Sequence, residues 1–377
     1  MGALNKHSKK DFWAGKKVLV TGHTGFKGSW LTYWLKKSGA VVCGLSLDPI
    51  TSPALWDELK MDLNGFDIRA DIREVDWVEK VAEFRPEFVF HLAAQPLVVT
   101  GWKQPLLTFD TNVTGTANLL SELNQRESVK NILVVTTDKV YKLDEQKINR
   151  KEDDELGGND PYAASKAAVE FLVASWPIRE DINIATARSG NVIGGGDWSE
   201  DRLIPDIIRA GLAKTQLEIR YPTAIRPWQH VIEPIFGYLL LAQAMHIKSC
   251  TAPAINFGPL IENQITVEDI VAYSSEVLPR EFQFSKALTP GKYIESEFLL
   301  LDSALAKDEL GWQPILSWTE AVQLSLNWYV DFQNGTYTQT RINGLNPDTG
   351  SESTIYFNND NDANQKITKV LHYIKYL

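Results

Sequence analysis

The chain has 377 residues, with 38 basic against 48 acidic side chains and a formal net charge of −10. At roughly 100–200 residues per domain, that length makes one large or two medium domains, and 44% hydrophobic with 23% charged residues is globular composition. The acidic balance argues against nucleic-acid binding, which rests on clustered Lys and Arg. Two cysteines, Cys43 and Cys250, exclude a disulfide framework and a Cys-based zinc cluster and fit a reducing compartment.

No stretch approaches the ~18 consecutive apolar residues of a membrane span. The basic start, Met1 to Asp11, has no apolar run behind it as a signal peptide requires. The expectation is a cytoplasmic protein with no metal and with neither membrane nor nucleic-acid partners.

In chain order, Lys17 to Val20 reads as a buried strand, followed by a Gly-rich turn and a helix from about Phe26 to Lys37. Val41 to Leu45 is a second strand, and Phe88–Phe90, Ile132–Val135 and Ile184–Ala187 are three more, with helices at Pro105–Gln125 and Ala163–Ser175 between them. Short all-apolar strands alternating with helices of this length predict βαβ units in a mostly parallel, doubly wound sheet, the α/β Rossmann-type class. Beyond Gly190 the alternation weakens. A Gly194–Gly196 loop, a helix at Ile204–Ala213, segments punctuated by Pro222, Pro227 and Pro234, a strand before Asn256–Pro259, and helices at Ile265–Leu278 and Trp318–Phe332 follow. This suggests a nucleotide-binding domain over residues 12–190, a smaller, interleaved α/β substrate domain over 191–335, and a polar extension over 336–377. The extension ends with Ile367, Val370, Leu371 and Ile374 at amphipathic-helix spacing.

Thr21 to Gly28 follows the first strand and opens the first helix, with glycines at 22, 25 and 28. Small residues there let backbone approach a pyrophosphate, and the helix N-terminus offers free N–H groups. That assigns Gly22, Thr24, Gly25, Phe26, Lys27 and Gly28 to cofactor binding. At the end of the second strand, where cofactor choice is normally made, stand Ser46 and Asp48, and no Lys or Arg occurs between Val41 and Leu59 to neutralise a 2′-phosphate. NAD is therefore expected over NADP. Asp71 and Ile72 are placed to hold the adenine, with Leu92, Ala93 and Ala94 as a small-residue strand end against the cofactor.

Tyr162 and Lys166 lie on one face at the start of a helix, after Asp160-Pro161. A phenol is a poor base at neutral pH, and a lysine ammonium beside a nicotinamide cation favours the phenolate. Thr137, Asp138 and Lys139 end the fifth strand, where this topology places ligands. A hydroxyl, a carboxyl and an amine side by side suit proton removal and leaving-group protonation.

These motifs together resemble the extended short-chain dehydrogenase/reductase superfamily and, within it, the CDP-glucose 4,6-dehydratase family. The narrowing signals are Thr21–Trp30, His91–Val98, Asp138-Lys139, Gly190–Trp198 and Arg226–Val231. The resemblance implies an NAD-dependent lyase that oxidises the sugar at C4, eliminates water across C5–C6 and returns hydride to C6. It implies Tyr162, helped by Thr137, as base toward O4, Asp138 as acid toward O6, and Lys139 as C5 base or enolate stabiliser. It adds Thr111 to the cofactor set and makes Gln95, Asn191, Arg202, Tyr221 and Arg226 candidates for the nucleotide sugar. It further implies a homodimer, or a dimer of dimers, through the Pro105–Gln125 and Ala163–Ser175 helices. The chain departs from the family at Val99–Trp102 and Glu145–Asn149, both expected to border the sugar. The alternatives are another nucleotide-sugar dehydratase, a 4-epimerase, or a catalytically silent NAD-binding regulator. Asp138-Lys139 speaks against the epimerase and Thr137, Tyr162 and Lys166 against the regulator.

Overall fold

The computed structural model describes residues 12–143, 147–259, 264–278, 283–287 and 297–334. Glu145, Gln146 and the amphipathic spacing at 367–374 lie outside the described residues. In chain order the first half runs β1 (Lys17–Thr21), α1 (Phe26–Lys37), β2 (Val41–Ser46), α2 (Leu55–Leu59), β3 (Asp67–Arg69), α3 (Val78–Phe84), β4 (Phe88–His91), α4 (Val98–Lys103), α5 (Pro105–Phe109), α6 (Gly115–Asn124), β5 (Asn131–Val135), α7 (Pro161–Ser175) and β6 (Asn183–Ser189). The second half runs β7 (Val192–Ile193), α8 (Leu203–Ala213), β8 (Gln216–Ile219), β9 (Gln229–His230), α9 (Ile232–His246), β10 (Ala254–Phe257), α10 (Val267–Val277), β11 (Gln283–Lys286), α11 (Ala304–Leu310) and α12 (Trp318–Gln333).

Seven strands form one sheet in the order β10-β6-β5-β4-β1-β2-β3, and every neighbouring pair is parallel. Alternate residues of β1 feed opposite faces. Val18 and Val20 join a core with Trp30, Phe88 and Leu239, whereas Leu19 joins another with Cys43, Leu119 and Val169. Both faces are apolar because helices cover both, which is why these strands read as continuous hydrophobic runs. The chain leaves β3 at one edge and re-enters beside β1 as β4. This reversal opens a crevice at the carboxyl ends of β1 and β4, where doubly wound sheets take their ligands. Two small parallel pairs, β7 with β9 and β8 with β11, carry the later loops to the same edge.

Three expectations change. The Pro105–Gln125 helix is interrupted by a π-helical turn at Asp110–Thr114, which aims Asn112 at the loop after β4. Asn112 accepts from the Gln95 N–H at 2.7 Å and donates to Ser165 Oγ at 2.8 Å. Asn256 and Phe257 belong to β10 rather than following it. A strand tolerates that asparagine because Tyr141 Oη donates to it at 2.7 Å and it donates to the Arg150 carbonyl at 2.9 Å. Pro234 does not punctuate a loop; it lies in the first turn of α9, where a missing N–H costs nothing. Helix α9 is buried nearly all round, so it has no polar stripe for periodicity to reveal.

Candidate active site

All the residues singled out for cofactor, substrate and catalysis line a single cleft of about 1180 Å³ at that crevice. Its floor is the turn after β1. Gly22 takes a left-handed φ of +71°, and a Cβ there would sit 2.7 Å from the Ala93 nitrogen. A Cβ on Gly28 would lie 2.0 Å from the Gly22 carbonyl oxygen. The turn therefore closes only with glycine at both positions. Helix α1 begins at Gly25 with no side-chain cap, leaving its first N–H groups for an anion. Thr24 and Ser46 share a 2.8 Å hydroxyl–hydroxyl bond. These features fit the pyrophosphate and ribose of a dinucleotide.

The outer cofactor residues are held less tightly. Asp48 is 86% exposed and pairs with Arg69 at 3.5 Å, so β3 brings to this end a cation that the local reading between Val41 and Leu59 did not find. Asp71 is clasped by Arg73 at 2.6 Å, which holds its carboxyl below the usual range. Ile72 packs where Gly115 leaves room, a Cβ there falling 2.6 Å from it. Gln95 donates its amide to Thr108 Oγ1 on α5 at 2.8 Å and accepts from the Leu97 N–H of its own loop at 2.7 Å. Val99 and Thr100, within the Val99–Trp102 departure, sit on α4 and line the cleft.

At the reaction end, Asp160 caps α7 by accepting from Ala163 N–H at 2.9 Å with Pro161 next, a helix start that presents Tyr162 and Lys166 to the cleft. Tyr162 is buried, which pushes its phenol up to about 12, against a hydrogen bond with Thr137 and the charge of Arg202. Lys166 donates to the Val135 carbonyl at 3.0 Å, and burial lowers its ammonium to about 8. Arg202 thus adds a charge on the phenol beyond the Lys166 ammonium considered from the sequence. Thr137 Oγ1 donates to Asp138 Oδ1 at 2.9 Å. Asp138 is 2% exposed, its Oδ2 has no hydrogen-bond partner, and burial raises its pKa against Lys139, Thr137, Arg226 and Lys27. Burial thus shifts Asp138 toward its protonated, proton-donating form.

Three further features escaped the sequence. Lys27 is not only part of the glycine turn: its amine donates to Ser189 Oγ at 2.8 Å, and burial lowers it to about 7. Ser189 is bonded in turn to Tyr238 Oη at 2.7 Å, and nothing local marks either residue. Arg202 is anchored by the buried Asp197 at 3.1 Å, which the Asp197–Arg202 spacing could have suggested. Asn191, Tyr221 and the buried Arg226 complete the wall opposite the cofactor cradle.

Fold and cleft together define a dinucleotide-binding enzyme of the doubly wound class. The chain matches the family described as "NAD dependent epimerase/dehydratase family" over residues 18–249, and it belongs to that family. It is 41% identical over 334 residues, 85% of this chain and 92% of the relative, to CDP-glucose 4,6-dehydratase of Salmonella typhimurium. It is 26% identical to dTDP-glucose 4,6-dehydratase of Xanthomonas campestris pv. campestris over 353 residues, 86% and 96% of the two chains. The solved UDP-glucuronic acid 4-epimerase from Bacillus cereus, in complex with UDP-glucuronic acid and NAD, superposes with a TM-score of 0.71 at 21% identity, covering 84% of this chain and 99% of that one. At that identity it supports the fold alone. Among the described residues no helix is long and apolar enough to cross a membrane, and no group of three metal-ligating side chains occurs.

Proposed function

We propose that this chain is a lyase converting CDP-D-glucose to CDP-4-dehydro-6-deoxy-D-glucose and water. The observation that carries the reading is Asp138, a buried carboxyl with one orphaned oxygen, set one residue after the threonine bonded to Tyr162. An epimerase has no leaving group at C6 to protonate, so such an acid has no task there. The 41% identity to a CDP-glucose 4,6-dehydratase over most of both chains supports the same substrate.

NAD, held by the Gly22–Gly28 turn, Ser46, Asp71 and Lys166, supplies the hydride acceptor at sugar C4 and the donor at C6. Tyr162, which the Lys166 ammonium and the cation of bound NAD would draw to its phenolate, takes the O4 proton while bonded to Thr137. Asp138 delivers its proton to O6 as the C5–C6 elimination expels water. Lys139, beside it on the same cleft wall, serves C5, either as the base that takes its proton or as the cation that holds the enolate while solvent water takes that proton. Lys139→Arg separates these two roles, since turnover that survives marks the cation and loss marks the base. Asn191, Arg202 and Arg226 bind the diphosphate, for which paired guanidinium donors are suited. Leu217–Tyr221 line the far end of the cleft.

The purified protein incubated with CDP-, UDP-, dTDP- and GDP-glucose tests this. CDP-glucose is expected to lose one water and yield the base-labile 4-ketone. Product from another sugar nucleotide alone sinks the substrate assignment, and a 4-epimer sinks the reaction.

Assembly as a homodimer is supported by exposed apolar side chains on packed helices. Leu106 is 86% and Phe171 58% exposed, on α5 and α7. Leu106→Glu is expected to shift the mass measured by light scattering to that of one chain. The two cysteines are free and buried, in keeping with a cytoplasmic location.

A further inference from the structure

Behind the reaction end lies a buried polar cluster that the mechanism above does not use. Glu170 sits one helical turn after Lys166 on α7, and all its acceptor capacity is taken. Its Oε1 accepts from Thr136 Oγ1 and from Arg188 Nε at 3.0 Å, and its Oε2 from Thr186 Oγ1 at 2.7 Å and Arg188 Nη2 at 2.8 Å. Arg188 reaches on to Tyr141 Oη at 2.9 Å and the Glu152 carbonyl at 3.0 Å. Glu170 and Arg188 are both buried.

One carboxylate thus ties together the three segments that carry the candidate catalytic groups. Thr136 precedes Thr137 and Asp138, α7 carries Tyr162 and Lys166, and Arg188 lies three residues before Asn191. Along the same face of α7, Lys166 bonds the Val135 carbonyl and Glu170 bonds Thr136, so the end of β5 is gripped twice. Thr136 is thereby held toward the helix while Thr137, the next residue along the extended chain, is turned to the cleft.

We infer that Glu170 is a positioning residue for this reaction: bound to Thr136, Thr186 and Arg188, it fixes Thr137 against Tyr162 and sets a buried carboxylate one helical turn from Lys166. The inference rests on the dehydratase reading above for the roles of Thr137, Tyr162 and Lys166. The charged and titratable groups around Lys166 are Glu170 and Tyr162 on α7, His91 on β4 and Lys27 on α1. Of these, Glu170 alone opposes the effect of burial on the amine. Neutralising it, and leaving Arg188 uncompensated, lowers the ammonium pKa further. Activity that needs the protonated amine then fails at lower pH.

For Glu170→Gln we expect kcat to fall about 10- to 100-fold through misplaced groups, with KM for CDP-glucose within about threefold. The alkaline limb of the pH profile is expected to move about one unit toward acid. The ¹³Cε resonance of Lys166, assigned through Lys166→Arg, should titrate lower by a similar step with no substrate present. Because a lone buried Arg188 endangers folding, the paired variant Glu170→Met/Arg188→Met is measured alongside. It is expected to fold, keep KM and lose the same kcat. Glu170→Asp keeps the charge, so its limb should stay at the wild-type position while kcat falls. A wild-type kcat in the paired variant, or an unmoved Lys166 titration in Glu170→Gln, overturns the inference. Wild-type protein that leaves CDP-glucose intact overturns the dehydratase reading instead, and the substrate-free titration still judges Glu170.

Discussion

The two ends of the cleft are built by different physics. The cofactor end is backbone and surface chemistry: glycine turns, a helix N-terminus, a hydroxyl pair at 2.8 Å, and carboxylates already satisfied by arginines. The reaction end is a set of buried ionisable groups moved away from their ordinary pKa values, with Tyr162 up to about 12, Lys166 down to about 8 and Asp138 raised. Binding ligands over a large area needs many modest contacts, each replaceable. Moving protons needs a few groups poised by desolvation, each serving one step. Damage to the first end should therefore be graded, and damage to the second step-specific.

The largest effect tests the second half of that contrast. Tyr162→Phe removes the only acceptor proposed for the O4 proton, so oxidation at C4 should slow by about 10²–10⁴-fold, read as nicotinamide reduction in a single turnover. Asp138→Asn should separate the steps. Reduction proceeds near its wild-type rate, reduced nicotinamide accumulates, and water loss slows by about 10²-fold. If dehydration by Asp138→Asn is unimpaired, the acid role falls and with it the main argument against an epimerase. At the cofactor end, Gly28→Ala must move α1 off the Gly22 carbonyl, which its Cβ would otherwise approach to 2.0 Å. Such overpacking costs about 1–3 kcal/mol. We expect NAD affinity to weaken by about tenfold or more in a fluorescence titration while the bound enzyme keeps its rate constants. A loss confined to kcat would erase the distinction between the ends.

That distinction also explains what the sequence makes legible. The cradle could be read because its requirements are local: glycines at 22, 25 and 28 between a strand and a helix constrain the backbone where they stand. Tyr162, Lys166 and Asp138 could be named because each belongs to a short local pattern, but their electrostatics could not. Arg202 acts on Tyr162 by its charge from the loop after β7, and Lys27 reaches Ser189 over 162 positions. Arg69 arrives beside Asp48 from a neighbouring strand, outside the window in which a cation was sought. The same limit hid α9. An amphipathic helix advertises itself by its polar face, and α9 has almost none because both the sheet and the later helices cover it.

The smallest effect concerns a carboxyl that resembles Asp138 but does no chemistry. Glu233, in the first turn of α9, accepts from the Ile315 and Leu316 N–H groups at 2.6 and 2.9 Å through Oε1, while its Oε2 is buried without a hydrogen-bond partner. Burial raises it from 4.5 to about 7. The folded chain thus keeps a proton that the unfolded chain gives up near pH 4.5. Stability contributed by the protonated form is full below that point and drains away as pH rises toward 7. At 1.36 kcal/mol per unit the loss is about 3 kcal/mol. Glu233→Gln cannot ionise, so the difference in unfolding free energy between variant and wild type should rise in the variant's favour from pH 4.5 to 7 and then level off. Any constant penalty from seating an amide at Oε2 shifts that curve without bending it. Turnover of CDP-glucose should be unchanged, since Glu233 is not among the residues lining the cleft. A flat difference would mean that an orphaned, desolvated oxygen does not hold a proton in this fold, and the acid assigned to Asp138 would lose its physical basis along with it.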